Sequence, residues 1–253
     1  MALLAVDVGN TQTVFGLFDG AELRDHWRVA TERGRSGDEL GALFRSFLDL
    51  SAIDGVALAS TVPQLLRSYE DFARDYAEAE LLELGPGVRT GVPVRYDDPR
   101  EVGPDRIANA VAALDRYGVP CIVVDFGTST NFDVVSPAGE YVGGVLAPGI
   151  EVSMDALFSR AARLFKVDFV APETVIAKNT AASLQSGLVY GFAGQVDGIV
   201  ERIRGELRAA DAKTVATGGL ADLIVPHART LERIDPFLTL EGLRLVWQRN
   251  HEE

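Results

Sequence analysis

Short apolar runs separated by turn residues occupy the first fifth of the chain. The run Leu3–Val8 predicts a buried strand, and Thr13–Phe18 predicts a second strand after a Gly-Asn-Thr break. Asp19-Gly20 predicts a turn into a third strand, Glu22–Val29. Three consecutive strands joined by tight turns predict an antiparallel meander.

From Asp38 onward the apolar residues recur at helical spacing, so we expect a helix after the meander. Its apolar face comprises Leu40, Leu43, Phe44, Phe47 and Leu48. The elements predicted next are strand Gly55–Ser60, helix Gln64–Tyr76, strand Leu81–Leu84, a Gly- and Pro-rich loop Gly85–Pro104 and helix Arg106–Tyr117. Such a succession predicts an α/β fold in which helices flank a mixed five-stranded sheet.

The opening of the chain is repeated near its middle. The strand that carries Asp7 ends in Asp-x-Gly followed by hydroxyl-rich residues, and the strand that carries Asp125 ends in the same way. The second copy also continues with a turn and two predicted strands, Phe132–Val135 and Glu140–Val145. Self-similarity at about half the chain length predicts two duplicated lobes, residues 1–118 and 119–253.

Helices dominate the second half. The elements predicted there are helices Val152–Leu164, Thr180–Leu207 and Leu240–Asn250 and strands Lys213–Thr217 and Thr230–Ile234. The long helix has one apolar face, which either packs in the core of its own lobe or forms a dimer interface. This face comprises Leu184, Leu188, Phe192, Val196 and Ile199.

Composition narrows the classes of protein and partner. The 253 residues are 47% hydrophobic and 24% charged, and these globular proportions argue against intrinsic disorder. The formal net charge of −13 disfavours nucleic acid and anionic membrane surfaces as partners, although a small anion can still bind backbone N–H groups. A single cysteine, Cys121, and the lack of a visible targeting segment predict a cytoplasmic protein.

The two Asp-x-Gly turns are the first candidates for chemistry. Gly9 and Gly127 each follow a strand carboxylate closely, and a residue without a Cβ lets the backbone approach a ligand. Backbone N–H groups and hydroxyls in such turns can hold phosphate oxygens, while the aspartate holds a cation that offsets their charge. For either copy the alternative is an ordinary strand-end turn. The candidate cradles are Asp7, Asn10, Thr11 and Thr13 in the first copy and Asp125 with Thr128 in the second.

Further short motifs extend along the whole chain, and their order and spacing are specific. They are Asp7-Val8-Gly9-Asn10-Thr11, Tyr96-Asp97-Asp98-Pro99, Gly103-Pro104-Asp105-Arg106, Asp125-Phe126-Gly127-Thr128, the segment 143–149, Lys178-Asn179-Thr180, Gln185-Ser186-Gly187, Thr217-Gly218-Gly219-Leu220 and Asp235-Pro236-Phe237-Leu238-Thr239. Together they resemble the type III pantothenate kinases, within the superfamily of actin, sugar kinases and heat-shock ATPases. The resemblance implies two ribonuclease-H-like lobes that clamp a nucleotide between paired Asp-Gly hairpins. It also implies ATP-dependent phosphorylation of pantothenate to 4′-phosphopantothenate, the first step of coenzyme A biosynthesis.

The resemblance assigns roles to individual residues. Asp105 matches the family's catalytic base, and Asp125 matches its ligand for a monovalent cation, K⁺ or NH₄⁺, with Mg²⁺ accompanying ATP. The implied substrate contacts are Tyr96, Gly103, Pro104, Asp105, Arg106 and, from the neighbouring subunit of a homodimer, Thr180. The implied ATP contacts are Asp7, Val8, Gly9, Asn10, Thr11, Gln12, Thr13, Val14 and Thr128.

Several of these residues also have a purely structural interpretation. Asp105 can stabilise the N-terminus of a helix, and a carboxylate beside Arg106 should in either case stay ionised. Tyr96 can be a packed aromatic residue of the loop, and Thr180 can belong to a helix capped by Asn179. The sequence leaves both interpretations open.

Other features of the sequence also leave alternatives. Gly218-Gly219 can be the entry turn of a helix or a loop near adenosine, and Asp125 can hold potassium, magnesium or no ion. The chain departs from the family pattern at Pro104, Ser129, Asn131 and Ala177, none of which removes a group assigned to chemistry. The rival functions are a kinase of the same superfamily that acts on another small hydroxy acid, and a non-catalytic nucleotide- or pantothenate-binding regulator.

Overall fold

The computed structural model describes residues 1–160 and 166–251 and divides into two compact units. Unit 1 comprises Met1–Ala112 and the C-terminal segment from Leu238 onward, and unit 2 comprises Ala113–Phe237. No helix among the described residues is both long enough and apolar enough to cross a bilayer.

Unit 1 is built on a five-stranded sheet. Its strands are β1 (Ala2–Val8), β2 (Gln12–Asp19), β3 (Glu22–Ala30), β4 (Gly55–Ser60) and β5 (Glu80–Glu83). Their order is β3-β2-β1-β4-β5, with β1, β2 and β3 antiparallel and β1, β4 and β5 parallel. The predicted meander is therefore present, and β1 lies at the centre of the sheet because both of its faces are apolar.

Unit 2 repeats this topology. Its strands are β6 (Cys121–Phe126), β7 (Ser129–Val135), β8 (Tyr141–Pro148), β9 (Lys213–Thr217) and β10 (Arg233–Ile234). Their order is β10-β9-β6-β7-β8, again with one antiparallel meander and two parallel pairs. The predicted fold class, two duplicated lobes that each contain a mixed five-stranded sheet, is confirmed.

Seven helices are assigned in the described residues. They are α1 (Gly37–Arg45), α2 (Leu66–Phe72), α3 (Pro104–Tyr117), α4 (Ile150–Arg160), α5 (Thr180–Leu207), α6 (Ala221–Ile224) and α7 (Leu238–His251). Of the predicted helix Val152–Leu164, residues 161–164 lie outside the described part of the chain. The predicted bounds of α5 agree with the structure.

Local capping chemistry explains where α1 begins. The Ser36 side chain accepts a hydrogen bond from the Glu39 backbone N–H, and the Glu39 side chain accepts one from the Ser36 backbone N–H. This reciprocal pair satisfies two N–H groups that a helix start otherwise leaves unpaired. The Ser-x-x-Glu signal was present in the sequence and would have predicted the start at Gly37.

The predicted helix Gln64–Tyr76 is wrong in its detail. A 3₁₀ turn, Pro63–Leu65, leads into α2, and a π-helical turn, Ala73–Ala77, follows it. Glu78 then ends the helical segment in the left-handed region, with φ of 50°. Helical spacing of apolar residues does not distinguish these three hydrogen-bond patterns over so short a stretch.

The C-terminal helix α7 packs in unit 1, whereas the sequence-based division placed it in the second lobe. It packs against β1, β2 and β4, and Leu238, Leu243 and Val246 are almost fully buried there. The Trp247 ring lies over Gly55, where a Cβ atom would come within 2.2 Å of it. Position along the chain could not reveal this packing, because it joins segments far apart in sequence.

The long helix α5 contributes to the core of unit 2. Val196 is fully buried in that core, and Leu188, Phe192 and Ile199 pack against it while partly exposed. The buried stripe proper comprises Val189, Ala193, Val196, Val200 and Ile203. The apolar face predicted for this helix therefore serves the core of its own unit to a large extent.

Candidate active site

The first Asp-x-Gly hairpin lies in unit 1, between β1 and β2. The Gly9 backbone N–H donates to the Gln12 carbonyl oxygen at 3.0 Å, which closes the turn. A Cβ atom at Gly9 would lie 2.9 Å from the same oxygen, so a larger residue would force the turn open. Asp7 stands at the end of the buried strand and is only partly buried. The turn exposes Asn10 and Thr11 to solvent and thus to a ligand.

A second layer of residues holds this hairpin from behind. Thr13 is buried, and its hydroxyl lies 2.9 Å from the Thr31 hydroxyl. Tyr69 belongs to the same buried cluster as Val8, and burial raises the pKa of the Tyr69 phenol well above its usual range. Val8 is fully buried as well. Of the predicted ATP contacts, Val8 and Thr13 therefore have buried side chains. They can contact ATP only through backbone groups, and their side chains stabilise the hairpin.

The second hairpin lies in unit 2, between β6 and β7. The Gly127 N–H donates to the Ser129 carbonyl oxygen at 3.0 Å, and the Gly149 N–H donates to the Thr128 carbonyl oxygen at 3.2 Å. A Cβ atom at Gly149 would lie 2.3 Å from that Thr128 oxygen. Gly149 is thus required for the close approach of the segment after β8 to this turn.

Gly218 lies directly beside the Asp125 carboxylate. Its φ is 89°, and a Cβ atom there would lie 2.5 Å from Asp125 Oδ1. The Gly218 carbonyl oxygen also accepts from the Ala221 N–H at 3.3 Å, at the start of α6. Gly218 therefore belongs to a helix-entry turn and at the same time to the surroundings of the second hairpin.

The two hairpin aspartates have different neighbours in register. Asp7 lies opposite Val14 on β2 and Ala59 on β4. Asp125 lies opposite Asn131 on β7 and Thr217 on β9, so the corresponding positions are polar. Asn131 and Thr217 are buried, and Asn131 Oδ1 has no hydrogen-bond partner within the described ranges. Three oxygen-bearing side chains on adjacent strands suit a bound cation.

Asp105 is the second residue of α3, so its helix-start interpretation is correct. The Gly103 carbonyl oxygen accepts from the Arg106 N–H at 3.1 Å, and a Cβ atom at Gly103 would lie 2.4 Å from Asp105 Oδ1. This carboxylate oxygen is buried and has no hydrogen-bond partner among the residues that the structure describes. An acceptor in that condition is poised to receive a proton or a donor from a ligand.

The electrostatics of Asp105 correct one expectation. We expected neighbouring Arg106 to keep the carboxylate firmly ionised, but burial outweighs that arginine and the pKa of Asp105 is raised above its ordinary value. Arg106 is itself buried. A carboxyl group with a raised pKa is a better proton acceptor near neutral pH than an exposed one.

The remaining predicted contacts lie in two different units. Tyr96 is half-buried in unit 1, in the loop before α3. Thr180 is exposed at the first position of α5 in unit 2, and Asn179 caps that helix by accepting from the Ala182 N–H at 2.8 Å. The capping interpretation of this segment is therefore correct, and it leaves the Thr180 side chain at the surface.

Sequence reasoning missed residues that contact the first hairpin from outside the motif. The Thr31 N–H donates to the Thr11 carbonyl oxygen at 2.9 Å, and the Thr61 N–H donates to the Val8 carbonyl oxygen at 2.9 Å. Arg33 Nη2 donates to Asn10 Oδ1 at 3.1 Å. No spacing rule links these residues to the motif, since they meet it only through sheet pairing.

Comparison with known proteins agrees with this arrangement. The family model for type III pantothenate kinases matches residues 3–202. The type III pantothenate kinase of Acidothermus cellulolyticus is 56% identical over 99% of this chain and 100% of that protein, and that of Moorella thermoacetica is 52% identical over 98% and 99%. Among solved structures, the polyphosphate/ATP-glucomannokinase of an Arthrobacter strain matches with a TM-score of 0.51 at 14% identity, over 99% of each chain, which is a likeness of fold alone. The chain belongs to the type III pantothenate kinase family.

Proposed function

We propose that this protein transfers the γ-phosphoryl group of ATP to the primary hydroxyl of pantothenate and so produces 4′-phosphopantothenate for coenzyme A synthesis. The observation that carries the proposal is the family match along the whole chain together with a buried, unpartnered Asp105 carboxylate oxygen at the start of α3. The single, buried cysteine further supports a cytoplasmic location.

Asp105 acts as the general base in this proposal. Its carboxylate accepts the proton of the substrate hydroxyl while the hydroxyl oxygen bonds to the γ-phosphorus and the bond to the bridging oxygen of ADP breaks. Its raised pKa favours the acceptance of that proton. Tyr96, Gly103, Pro104 and Arg106 line the pantothenate site next to it.

The hairpins hold the nucleotide. In unit 1 the turn after β1 offers backbone N–H groups and the exposed Asn10 and Thr11 to phosphate oxygens. The proposed ATP contacts are the hairpin residues Asp7, Val8, Gly9, Asn10, Thr11, Gln12, Thr13 and Val14 with Thr128 of unit 2.

Two kinds of cation complete the proposal. Asp7 would hold Mg²⁺ that accompanies ATP, and that ion would neutralise charge on the transferred phosphoryl group. Asp125 would hold K⁺ or NH₄⁺, and the buried Asn131 and Thr217 oxygens opposite it fit a cation of low charge. The unpartnered Asn131 Oδ1 is the observation that favours an ion there.

The proposed working form is a homodimer in which Thr180 reaches the substrate of the neighbouring subunit. Unit 2 carries most of the exposed large apolar side chains of the described chain, a pattern that marks interaction surfaces. Two of them, Val142 and Leu146, lie on the exposed face of β8, an edge strand. Others, with exposures of 43% to 84%, are Val152, Leu157, Val170, Val175 and Ile176.

Leu146→Glu is expected to convert the protein to a monomer of 27.2 kDa. Leu146 is 62% exposed, so the change costs the isolated chain little but places a charge in the proposed interface. Size-exclusion chromatography with light scattering measures the mass. Ala138→Glu, on the exposed turn between β7 and β8, is the matched control and should stay dimeric. A wild-type protein that is monomeric at micromolar concentration contradicts the dimer.

Coupled ADP release tests the function directly. Purified protein with ATP, Mg²⁺ and K⁺ is expected to release ADP only when pantothenate is added. ATP turnover with another small hydroxy acid but not with pantothenate would move the assignment to a different kinase of the fold. ATP binding without turnover under any of these conditions would favour a regulator instead.

A further inference from the structure

The loop after β3 lies along the first hairpin, although it belongs to none of the motifs. Residues 31–35 connect β3 to α1, and two hydrogen bonds fix the start of this loop. The Thr31 N–H donates to the Thr11 carbonyl oxygen at 2.9 Å, and the Thr31 and Thr13 hydroxyls lie 2.9 Å apart. The loop is thereby held beside the turn that is proposed to receive phosphate.

One arginine of this loop determines how the Asn10 amide is turned. Arg33 Nη2 lies 3.1 Å from Asn10 Oδ1. A guanidinium has only donors, so the amide atom that faces it must be the oxygen. Asn10 Nδ2 is therefore turned away from Arg33 and toward Thr61 Oγ1, which lies 3.5 Å away. This distance is at the limit of a hydrogen bond, so a phosphate oxygen that comes closer would be a stronger acceptor for the Asn10 amide.

The same arrangement occurs at the next amide of the hairpin. Arg28 Nη1 on β3 donates to Gln12 Oε1 at 2.7 Å. Two arginines thus occupy the amide oxygens of the hairpin and leave the amide N–H groups to point elsewhere. The hairpin then presents donors rather than acceptors, which is the pattern that phosphate oxygens require.

Local charge acts in the same direction. Arg33 and Arg35 form no ion pair within residues 1–160 and 166–251, although the chain carries a net charge of −13. Glu32 is the one carboxylate between Thr31 and Ser36. The loop therefore adds positive charge beside the hairpin.

We infer that Arg33 is a positioning residue for nucleotide binding, because it holds the Asn10 amide with its N–H groups available to the phosphates of ATP. The inference rests on the proposed function in that the first hairpin is taken to bind ATP. It adds a residue outside the motif to the phosphate site, acting through Asn10.

Calorimetric titration with ATP and with adenosine, in Mg²⁺ and without pantothenate, tests this role. Arg33→Met, which removes the donors but keeps the length, is expected to weaken ATP binding by about tenfold. Adenosine binding should not change, since adenosine lacks phosphates. Arg33→Lys, which restores a donor, should recover much of the affinity. Arg24→Met is the matched control, because Arg24 pairs with Asp19 and Glu22 at the far end of β3, and it should bind ATP as the wild type does.

A double substitution separates the positioning role from direct phosphate contact. In the Asn10→Ala background, Arg33→Met should cause a much smaller loss of ATP affinity than in the wild type, limited to what the charge of Arg33 contributes directly. A full additional loss there would overturn the inference, and so would an Arg33→Met single variant that binds ATP within twofold of the wild type. If the wild-type protein phosphorylates pantothenate and the Arg33→Met variant binds ATP normally, the proposed function stands and only the inference about Arg33 is refuted.

Discussion

Asp105→Asn is expected to lower kcat for pantothenate phosphorylation by about 10² to 10⁴. The asparagine side chain keeps the shape of aspartate but can no longer accept the hydroxyl proton. Asp105 Oδ1 is buried and has no hydrogen-bond partner among the described residues, so no neighbour bonded to it can serve as the base instead. Coupled ADP release under saturating ATP and pantothenate measures the effect. ATP affinity should be unchanged, since the residue acts on the acceptor substrate.

The same variant should be more stable than the wild type at neutral pH. Burial raises the pKa of Asp105, so the folded state binds the proton more tightly than the unfolded chain does. The free energy of unfolding therefore falls as the pH rises from the pKa of Asp105 in the unfolded chain through its higher pKa in the folded protein. Above the folded-state pKa, the wild type carries the full cost of a buried charge. A neutral amide removes that cost. Thermal unfolding at pH 7.5 and at pH 3 should show the gain only at the higher pH.

A matched control lies on the same helix. Asp115 is exposed on α3, and Asp115→Asn should change neither kcat nor the melting temperature at pH 7.5. If Asp105→Asn retains kcat within tenfold of the wild type, Asp105 is not the base. In the wild type, the acidic limb of kcat/KM for pantothenate should fall above the ordinary carboxylate range of about 4.

Gly242→Ala is expected to reduce the free energy of unfolding by about 3 kcal/mol, or roughly 10 °C in Tm. A Cβ atom at Gly242 would lie 2.0 Å from the Ala108 carbonyl oxygen and 2.5 Å from its carbonyl carbon. Both obstacles are backbone atoms of α3, so α7 and α3 have to separate. Because α3 carries Asp105 at its start, the same shift should lower kcat in whatever fraction remains folded.

Gly205→Ala provides the comparison for that substitution. Gly205 lies in α5 with no atom within 4 Å of its ideal Cβ position, so alanine there should be neutral or stabilise by about 1 kcal/mol through helix propensity. Denaturant and thermal unfolding of both variants measure the difference. Equal stability of the two would contradict the close approach of α3 and α7. If Gly242→Ala is insoluble while Gly205→Ala is soluble, the contact is supported.

The sequence alone determined most of the strands and helices and their duplication, although the predicted helix Gln64–Tyr76 is three different helical segments and the predicted strand Thr230–Ile234 is shortened to Arg233–Ile234. The apolar runs of β1 and β6, each followed by Asp-x-Gly, specify a buried strand and a tight turn through local geometry. Candidate site residues such as Asp105 could also be proposed from the sequence, because their chemistry and order along the chain are properties of the sequence itself. The capping box at Ser36 is likewise a local sequence pattern, and it would have predicted that α1 begins at Gly37.

The tertiary structure decided what depends on distant neighbours. Helix α7 packs on strands that precede it by about two hundred residues. The apolar pattern of α7 predicts a buried face but does not indicate which strands bury it. The upward pKa shift of Asp105 comes from burial, which outweighs the adjacent Arg106 that sequence reasoning could see. The contact of Arg33 with Asn10 arises from strand pairing. Local sequence patterns encode backbone conformation, whereas the desolvation and orientation of a side chain depend on the residues that the tertiary fold packs against it.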